Sequence, residues 1–194
     1  MEIVKGYVYL EAVCHMSKSL LNLASDMKKI SLFIFTVIIF IHGVSAQNLD
    51  TLKKEKLYAP SDDAKLEIAK AVKKAAIEGK HVLLQIGGNW CGWCIAFDEK
   101  VKSNETLRIA MEKNFIVYHV NYSRENMNED VLASLGFPQR FGFPVFIVLD
   151  SQGNRLHTQN SAYLEEGKGH STSKILEFFK HWSPAALDPK QYGL

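Results

Sequence analysis

Two cysteines placed just after a short apolar run constrain this chain more than any other feature. Residues 82–86 are apolar and partly β-branched, apart from one glutamine, and a Gly-Gly pair ends the run. Such a run is typical of a strand that is buried on both faces of a sheet. Cys91 and Cys94 follow, and apolar residues then recur at helical spacing. The sequence therefore predicts a strand, a tight turn, and a helix whose first turn contains both cysteines.

The rest of the hydrophobic pattern alternates between the periods of helices and strands. Segments with helical spacing of apolar residues, or with helix start and stop signals, cover residues 61–79, 103–111, 128–135 and 173–182. Segments with the pattern of strands cover residues 115–122, 145–149 and 154–158, of which the last two form a predicted antiparallel hairpin. This order predicts an α/β sandwich, with a central mixed β-sheet flanked by helices on both faces.

The charge balance argues against nucleic acid as a partner. The chain has 23 basic and 21 acidic residues and a formal net charge of +2. These charges are spread along the sequence, whereas a protein that binds a phosphate backbone needs a concentrated basic patch. The length of 194 residues is enough for one core that folds without stabilising disulfides.

The N-terminal region has the composition of an export signal. A Met-Lys-Lys sequence at residue 27 precedes an apolar run over residues 30–41, and small residues predict cleavage before Gln47. The apolar run is shorter than the roughly 20 residues that span a bilayer. We therefore predict a cleaved signal peptide and export, most simply to the bacterial periplasm. An uncleaved membrane anchor is the alternative, because the run is rich in Ile and Phe.

These features give a predicted division of the chain. The segments are residues 1–26, a mis-assigned upstream stretch if translation starts at Met27; 27–46, the signal peptide; 47–60, a polar segment; 61–183, the folded domain; and 184–194, a C-terminal tail. Cys14 lies upstream of the predicted cleavage, so the mature chain holds only Cys91 and Cys94. A single close pair restricts the unfolded chain little, which favours redox chemistry over a structural role.

The spacing of the two cysteines is that of a reactive dithiol. A thiolate attacks disulfides, and the first turn of a helix favours negative charge because its amide groups are unpaired. Cys91 is therefore the predicted nucleophile, and Cys94, one turn further in, is predicted to resolve the mixed disulfide. Gly92 allows a tight turn, and Trp93 modifies access and redox poise. This chemistry needs no bound cofactor.

The cysteine pair and the residues near it also have simpler interpretations. A Cys-x-x-Cys pair can be half of a zinc site, but a closed site needs four ligands and the mature sequence offers no second pair, so we predict no metal. A purely structural disulfide stays open as an alternative. Trp90 is predicted to pack and Trp93 to meet partners. Four histidines are scattered and predicted to lie on the surface: His81, His157, His170 and His181.

Two motifs together resemble the thioredoxin superfamily. The sequence Trp-Cys-Gly-Trp-Cys at residues 90–94 follows a buried strand, and Phe143-Pro144 precedes another. The first motif is similar to that of exported bacterial thioredoxin-like proteins. The resemblance covers residues 62–182 and implies a thioredoxin-like fold. It also implies that Pro144 has a cis peptide bond facing the cysteines, and that the backbone of Phe143 pairs with a bound substrate.

The sequence departs from thioredoxin proper at two positions. The family's buried acid, which assists proton transfer from the second cysteine, is matched by Gln85, and its lysine partner is matched by His119. Gln85 cannot titrate. We hypothesise that His119 takes over proton transfer, since an unperturbed histidine pKa of about 6.5 suits it near neutrality. A histidine that is merely hydrogen-bonded within the sheet is the alternative.

The predicted function is an exported thiol–disulfide oxidoreductase that reduces or exchanges disulfides of exported proteins. Its substrates would be protein or small-molecule thiols and disulfides. The resemblance implies a membrane thiol transporter or another thioredoxin-like protein as the redox partner. The alternative is a non-catalytic binding module that holds a client beside Phe143-Pro144 and keeps its cysteines as a stable disulfide. Thiol reactivity separates the two.

Overall fold

The computed structural model describes residues 56–193. The predicted signal peptide, its predicted cleavage site and Cys14 lie outside these residues. The helices are α1 (Ala64–Glu78), α2 (Gly92–Ser103), α3 (Glu105–Asn114), α4 (Glu129–Ser134) and α5 (Thr172–His181). The strands are β1 (His81–Gly87), β2 (Phe115–Asn121), β3 (Val145–Leu149), β4 (Arg155–Asn160), β5 (Glu165–Glu166) and β6 (Gly169–His170).

Four of these strands form the central sheet, in the order β2-β1-β3-β4. Strand β1 pairs parallel with β2 and antiparallel with β3, and β3 pairs antiparallel with β4. The predicted mixed sheet and the predicted hairpin are therefore confirmed. The register places Gln85 of β1 opposite His119 of β2.

Helices cover both faces of the sheet, as predicted. On one face, α1 and α4 pack on alternate residues of β1 and β3, such as Leu84 and Ile147. On the other face, α2, α3 and α5 pack on the intervening residues, such as Leu83 and Phe146. Because β1 is central and covered on both sides, all seven of its residues are buried. This explains why the segment is apolar without the alternation of a half-exposed strand.

Residues 115–122 have the apolar sequence of a buried strand, but strand β2 is less buried than β1. It lies at the edge of the sheet, and its central residues are only partly buried. Helix α3 begins two residues later than the predicted start at Ser103, because the Asn104 side chain accepts a hydrogen bond from the Leu107 amide at 3.1 Å and caps the helix there. Local capping chemistry therefore set this boundary.

A short second hairpin, β5–β6, was not predicted. It joins Glu165 to His170 and Glu166 to Gly169 across an antiparallel pair. Strand β6 packs against α2, which carries the cysteine pair. Within residues 56–193, no helix combines the length and apolar character needed to cross a membrane.

Candidate active site

The cysteine pair lies where β1 passes into α2, as the sequence predicts. Cys91 is the N-cap of α2, and its Sγ accepts a hydrogen bond from the Cys94 amide at 3.2 Å. The two residues form a disulfide. Cys91 keeps 6% of its surface exposed, whereas Cys94 keeps none. The sulfur expected to react first is thus both the more accessible one and the one held by a helix N-terminus.

Trp90 lies across the surface beside the disulfide. Its indole nitrogen donates a hydrogen bond to the Tyr122 carbonyl oxygen at 2.7 Å, and its ring meets Phe143 edge-on at 5.5 Å. The residue is 59% exposed, so the prediction that it packs into the protein was wrong. The cause is local: a Cβ at Gly88 would lie 2.8 Å from the same carbonyl and overlap the indole, so glycine leaves the space that the ring occupies.

Trp93 is held from the opposite side by the β5–β6 hairpin. Its ring meets the His170 ring edge-on at 5.2 Å, and His170 also contacts Phe97 at 5.3 Å. Trp93 is 40% exposed, less than Trp90. His170 is buried, which lowers its pKa, and so its predicted surface position was wrong. His81 is buried too, with Nδ1 2.9 Å from the Trp182 carbonyl oxygen.

The Phe143-Pro144 segment reaches the cysteines from β3. The Phe143–Pro144 peptide bond is cis. Phe143 stacks on Tyr122, with ring centroids 4.9 Å apart, and packs against the cluster that contains both cysteines. The three rings of Trp90, Phe143 and Tyr122 therefore form one aromatic surface next to the disulfide.

An open groove of about 480 Å³ continues this surface. Its lining residues are Trp90, Tyr122, Ser123, Arg124, Glu125 and Met127. Met127 is 40% exposed and was not singled out from the sequence, because a lone methionine in a polar loop carries no distinctive pattern. The groove has the mixture of apolar rings and charged rim residues that suits an extended peptide segment.

The inner side of the disulfide is polar and buried. The Gln85 side chain, which is 2% exposed, donates from Nε2 to the Tyr58 hydroxyl at 2.9 Å and to the Cys94 carbonyl oxygen at 3.0 Å. Tyr58 is completely buried. A Cβ at Gly87 would lie 2.8 Å from the Tyr58 hydroxyl oxygen and would overlap Cys94 Sγ. The phenol and the second sulfur therefore meet at the same backbone position.

Sequence reasoning missed Tyr58, which belongs to the segment predicted to be polar. Asn89 fixes its backbone from both directions: the Tyr58 amide donates to Asn89 Oδ1 at 3.1 Å, and Asn89 Nδ2 donates to the Tyr58 carbonyl at 2.7 Å. Asn126 adds a hydrogen bond to the Pro60 carbonyl at 3.0 Å. The sequence signal was the short apolar run Leu57-Tyr58-Ala59 just before Pro60.

His119 lies beside Tyr58 on the same side of the sheet. The two rings meet edge-on at 5.5 Å, and His119 Nε2 is 3.8 Å from Asp98 Oδ1. Burial lowers the pKa of His119 to about 4, although the nearby Asp98 carboxylate opposes the shift. Asp98 is also paired with Lys102 at 2.8 Å. The histidine is therefore neutral at neutral pH.

No group of three or more His, Cys, Asp or Glu side chains within residues 56–193 is arranged to hold a metal ion.

Comparison with known proteins agrees with this geometry. A family model described as thioredoxin-like matches residues 63–151. Among solved structures, a disulphide isomerase from Xylella fastidiosa Temecula1 is 28% identical with a TM-score of 0.56, covering 63% of this chain and 93% of that one. No curated protein sequence matches significantly.

Two further structures are more distant. A DsbH oxidoreductase is 17% identical with a TM-score of 0.45, covering 58% of this chain and 78% of its own. The C-terminal domain of Neisseria meningitidis DsbD in the oxidised form is 18% identical with a TM-score of 0.44, covering 61% and 95%. At these scores they add nothing to the first match.

The fold, the family model and the first structural match identify the class of protein. The chain has a thioredoxin-like fold, and its residues 63–151 match a thioredoxin-like family model, which supports the thioredoxin superfamily as its class. Its Cys91–Cys94 disulfide supports a place among the thiol–disulfide oxidoreductases of that superfamily.

Proposed function

We propose that this chain is an exported thiol–disulfide oxidoreductase in which Cys91 and Cys94 cycle between dithiol and disulfide. The observation that carries the proposal is the position of Cys91 Sγ at the N-cap of α2, where it already accepts a hydrogen bond from the Cys94 amide. A thiolate formed there would keep that hydrogen bond and the favourable helix dipole. The site thus suits attack on a disulfide near neutral pH.

The proposed cycle moves two electrons in two exchanges. The Cys91 thiolate attacks one sulfur of a client disulfide, so that the client S–S bond breaks, a Cys91–client disulfide forms, and one client thiolate leaves. The Cys94 thiolate then attacks Cys91 Sγ and releases the second client thiolate. Both leaving thiolates take protons from water. A redox partner, such as a membrane thiol transporter or another thioredoxin-like protein, would return electrons to the new Cys91–Cys94 disulfide.

The surface beside the disulfide supports a role for Phe143 and Pro144 in client binding. Phe143 contacts the cysteine cluster and joins Trp90 in the exposed aromatic surface. A client chain lying along this surface would bring its disulfide to Cys91. We propose that exported proteins are the clients, and that residues 27–46 direct export. N-terminal sequencing of the natural protein should then find Gln47 first.

His119 keeps its proposed role as a proton acceptor for Cys94, directly or through water. The low pKa of about 4 means that its ring would accept a hydrogen bond but would hold a proton only briefly. If His119→Ala leaves the pH dependence of Cys94-linked turnover unchanged, this role should be abandoned.

The test of the proposed function is thiol reactivity and catalysis in the protein from residue 47 onward. The reduced protein should be alkylated by iodoacetamide fastest at Cys91, at pH values well below the usual thiol range. It should also accelerate insulin reduction by dithiothreitol. A pair that resists both reduction and alkylation would instead identify a non-catalytic binding module, which the exposed aromatic surface would also suit.

The direction of exchange follows from the reduction potential. Equilibration with a glutathione series should place a reductant near −270 mV and an oxidant near −120 mV, the values typical of thioredoxin and of a strongly oxidising relative.

A further inference from the structure

The Tyr58 hydroxyl lies under Cys94 with a hydrogen that is free to be donated. Its oxygen accepts a hydrogen bond from Gln85 Nε2 at 2.9 Å. Among the hydrogen bonds between residues 56–193, none uses the hydroxyl as a donor. The same hydroxyl and Cys94 Sγ both lie within 3 Å of the position that a Cβ on Gly87 would take, and Tyr58 packs in one cluster with both cysteines. A donor is therefore placed beside a sulfur that will carry charge.

The chemistry of a phenol differs from that of a carboxylate in this position. Burial raises the pKa of Tyr58 well above its usual range, and the negative charge of Asp98 raises it further. The group consequently stays protonated and cannot take a proton from Cys94. What it can do is donate a hydrogen bond, and a donor stabilises the thiolate relative to the thiol.

Gln85 makes this orientation specific. Its Nε2 donates one hydrogen bond to the phenol oxygen of Tyr58 and another to the Cys94 carbonyl oxygen. The amide therefore links the tyrosine ring to the backbone of the second cysteine. The side chain of Tyr58 is itself fixed from behind by the two-way pairing of its backbone with Asn89. The hydroxyl is thus held before the disulfide opens, and little ordering is needed when it does.

We propose that the Tyr58 hydroxyl donates a hydrogen bond to the Cys94 thiolate once the disulfide is open, and so accelerates the attack of Cys94 on the Cys91 mixed disulfide. This rests on the proposed oxidoreductase function. The proton that Cys94 loses passes to His119, directly or through water, and the leaving thiolate takes one from water. Tyr58 keeps its own proton throughout and transfers no electrons.

The test is the reaction of the reduced protein with 5,5′-dithiobis(2-nitrobenzoate). It is followed by stopped flow through the absorbance of the released thionitrobenzoate. The Cys91 thiolate displaces the first thionitrobenzoate and forms a mixed disulfide; Cys94 then displaces the second and closes the Cys91–Cys94 disulfide. The two phases therefore report separately on the two cysteines. Tyr58→Phe keeps the ring and removes only the hydroxyl, and both phases are measured from pH 5 to pH 10.

We expect Tyr58→Phe to move the pH midpoint of the second phase up by about one unit, since a hydrogen bond to a charged group is worth at least this much. At pH 7 that phase should slow about threefold, because the loss of thiolate is partly offset by the higher nucleophilicity of the more basic thiolate. The first phase should be unchanged. Tyr118→Phe is the matched control, because Tyr118 is a part-buried tyrosine of β2 that packs on the opposite face of the sheet. Both of its phases should match the unsubstituted protein.

The outcomes are separable. An unchanged second-phase midpoint in folded Tyr58→Phe would overturn the role of the hydroxyl while leaving the proposed function intact. Absence of a fast first phase in the unsubstituted protein would overturn the proposed function itself. Should Tyr58→Phe fail to fold, Gln85→Met removes the amide that orients the phenol. The same upward displacement is then expected, and an unchanged midpoint would again overturn the proposal.

Discussion

The two sides of the Cys91–Cys94 disulfide are built from opposite kinds of residue. On the outer side, Trp90 and Phe143 form an aromatic surface that solvent reaches at Trp90. On the inner side, Tyr58 and Gln85 form a buried hydrogen-bonded pair. The difference separates two tasks: the outer side can select what binds, whereas the inner side can only change the reactivity of the sulfurs.

The largest effect should come from the cysteines, which both sides serve. Cys91→Ser should lower insulin reduction by more than about a thousandfold, because a serine hydroxyl stays protonated at this position and the nucleophile is lost. Cys94→Ser should instead accumulate a mixed disulfide with the client, visible by mass spectrometry. If Cys94→Ser retained full turnover, the two cysteines would not work as a pair.

A methyl group added at Gly87 should destabilise the packing of the inner side. Gly87→Ala would place a Cβ against Cys94 Sγ and the Tyr58 hydroxyl, and overpacking of this kind costs about 1 to 3 kcal/mol. We expect the free energy of unfolding in urea to fall by that amount. Gly92→Ala is the control, since a Cβ there meets nothing within 4 Å. Equal stability of the two variants would mean that the inner side is loosely packed.

Sequence and structure agree best where contacts are local. The strand, the turn and the helix that carry residues 90–94 follow from spacing alone, and the central sheet follows from the order of the elements. The position of Tyr58 depends on Asn89 and Gln85, 31 and 27 residues away, and no periodicity encodes such a pairing. The burial of His170 was missed for the same reason, because the rings of Trp93 and Phe97 that it contacts lie far from it in the sequence.

Acid should lower the free energy of unfolding through His119, which lies on the inner side. The folded protein holds the pKa of His119 at about 4, below the unfolded value of about 6.5, so the neutral form is favoured by folding. The contribution of the neutral histidine to the free energy of unfolding is complete above about pH 6.5 and is lost as the pH falls from 6.5 toward 4. We expect this loss to reach about 2 kcal/mol.

The measurement is the free energy of unfolding at pH 7 and pH 4.5, in the unsubstituted protein and in His119→Gln. The glutamine cannot titrate, so the variant should lose less stability between the two pH values. His181→Gln is a suitable control, because His181 is an exposed histidine at the end of α5. If the two substitutions change the acid sensitivity equally, burial of His119 is not its cause.

The smallest effect should come from the outer side, and it should depend on the substrate. Trp90→Ala removes the edge-on contact with Phe143 and one wall of the groove, but leaves the sulfurs and Tyr58 in place. We expect KM for a protein disulfide to rise about three- to tenfold with kcat nearly unchanged, as for the loss of one aromatic contact of about 1 kcal/mol.

Reaction with 5,5′-dithiobis(2-nitrobenzoate), which is too small to use the groove, should be unaffected by Trp90→Ala. Ile77→Ala removes an exposed apolar side chain near the end of α1, outside the groove, and should change neither reaction. A fall in kcat for both substrates in Trp90→Ala would mean that the outer side also controls sulfur reactivity, and the division between the two sides would fail.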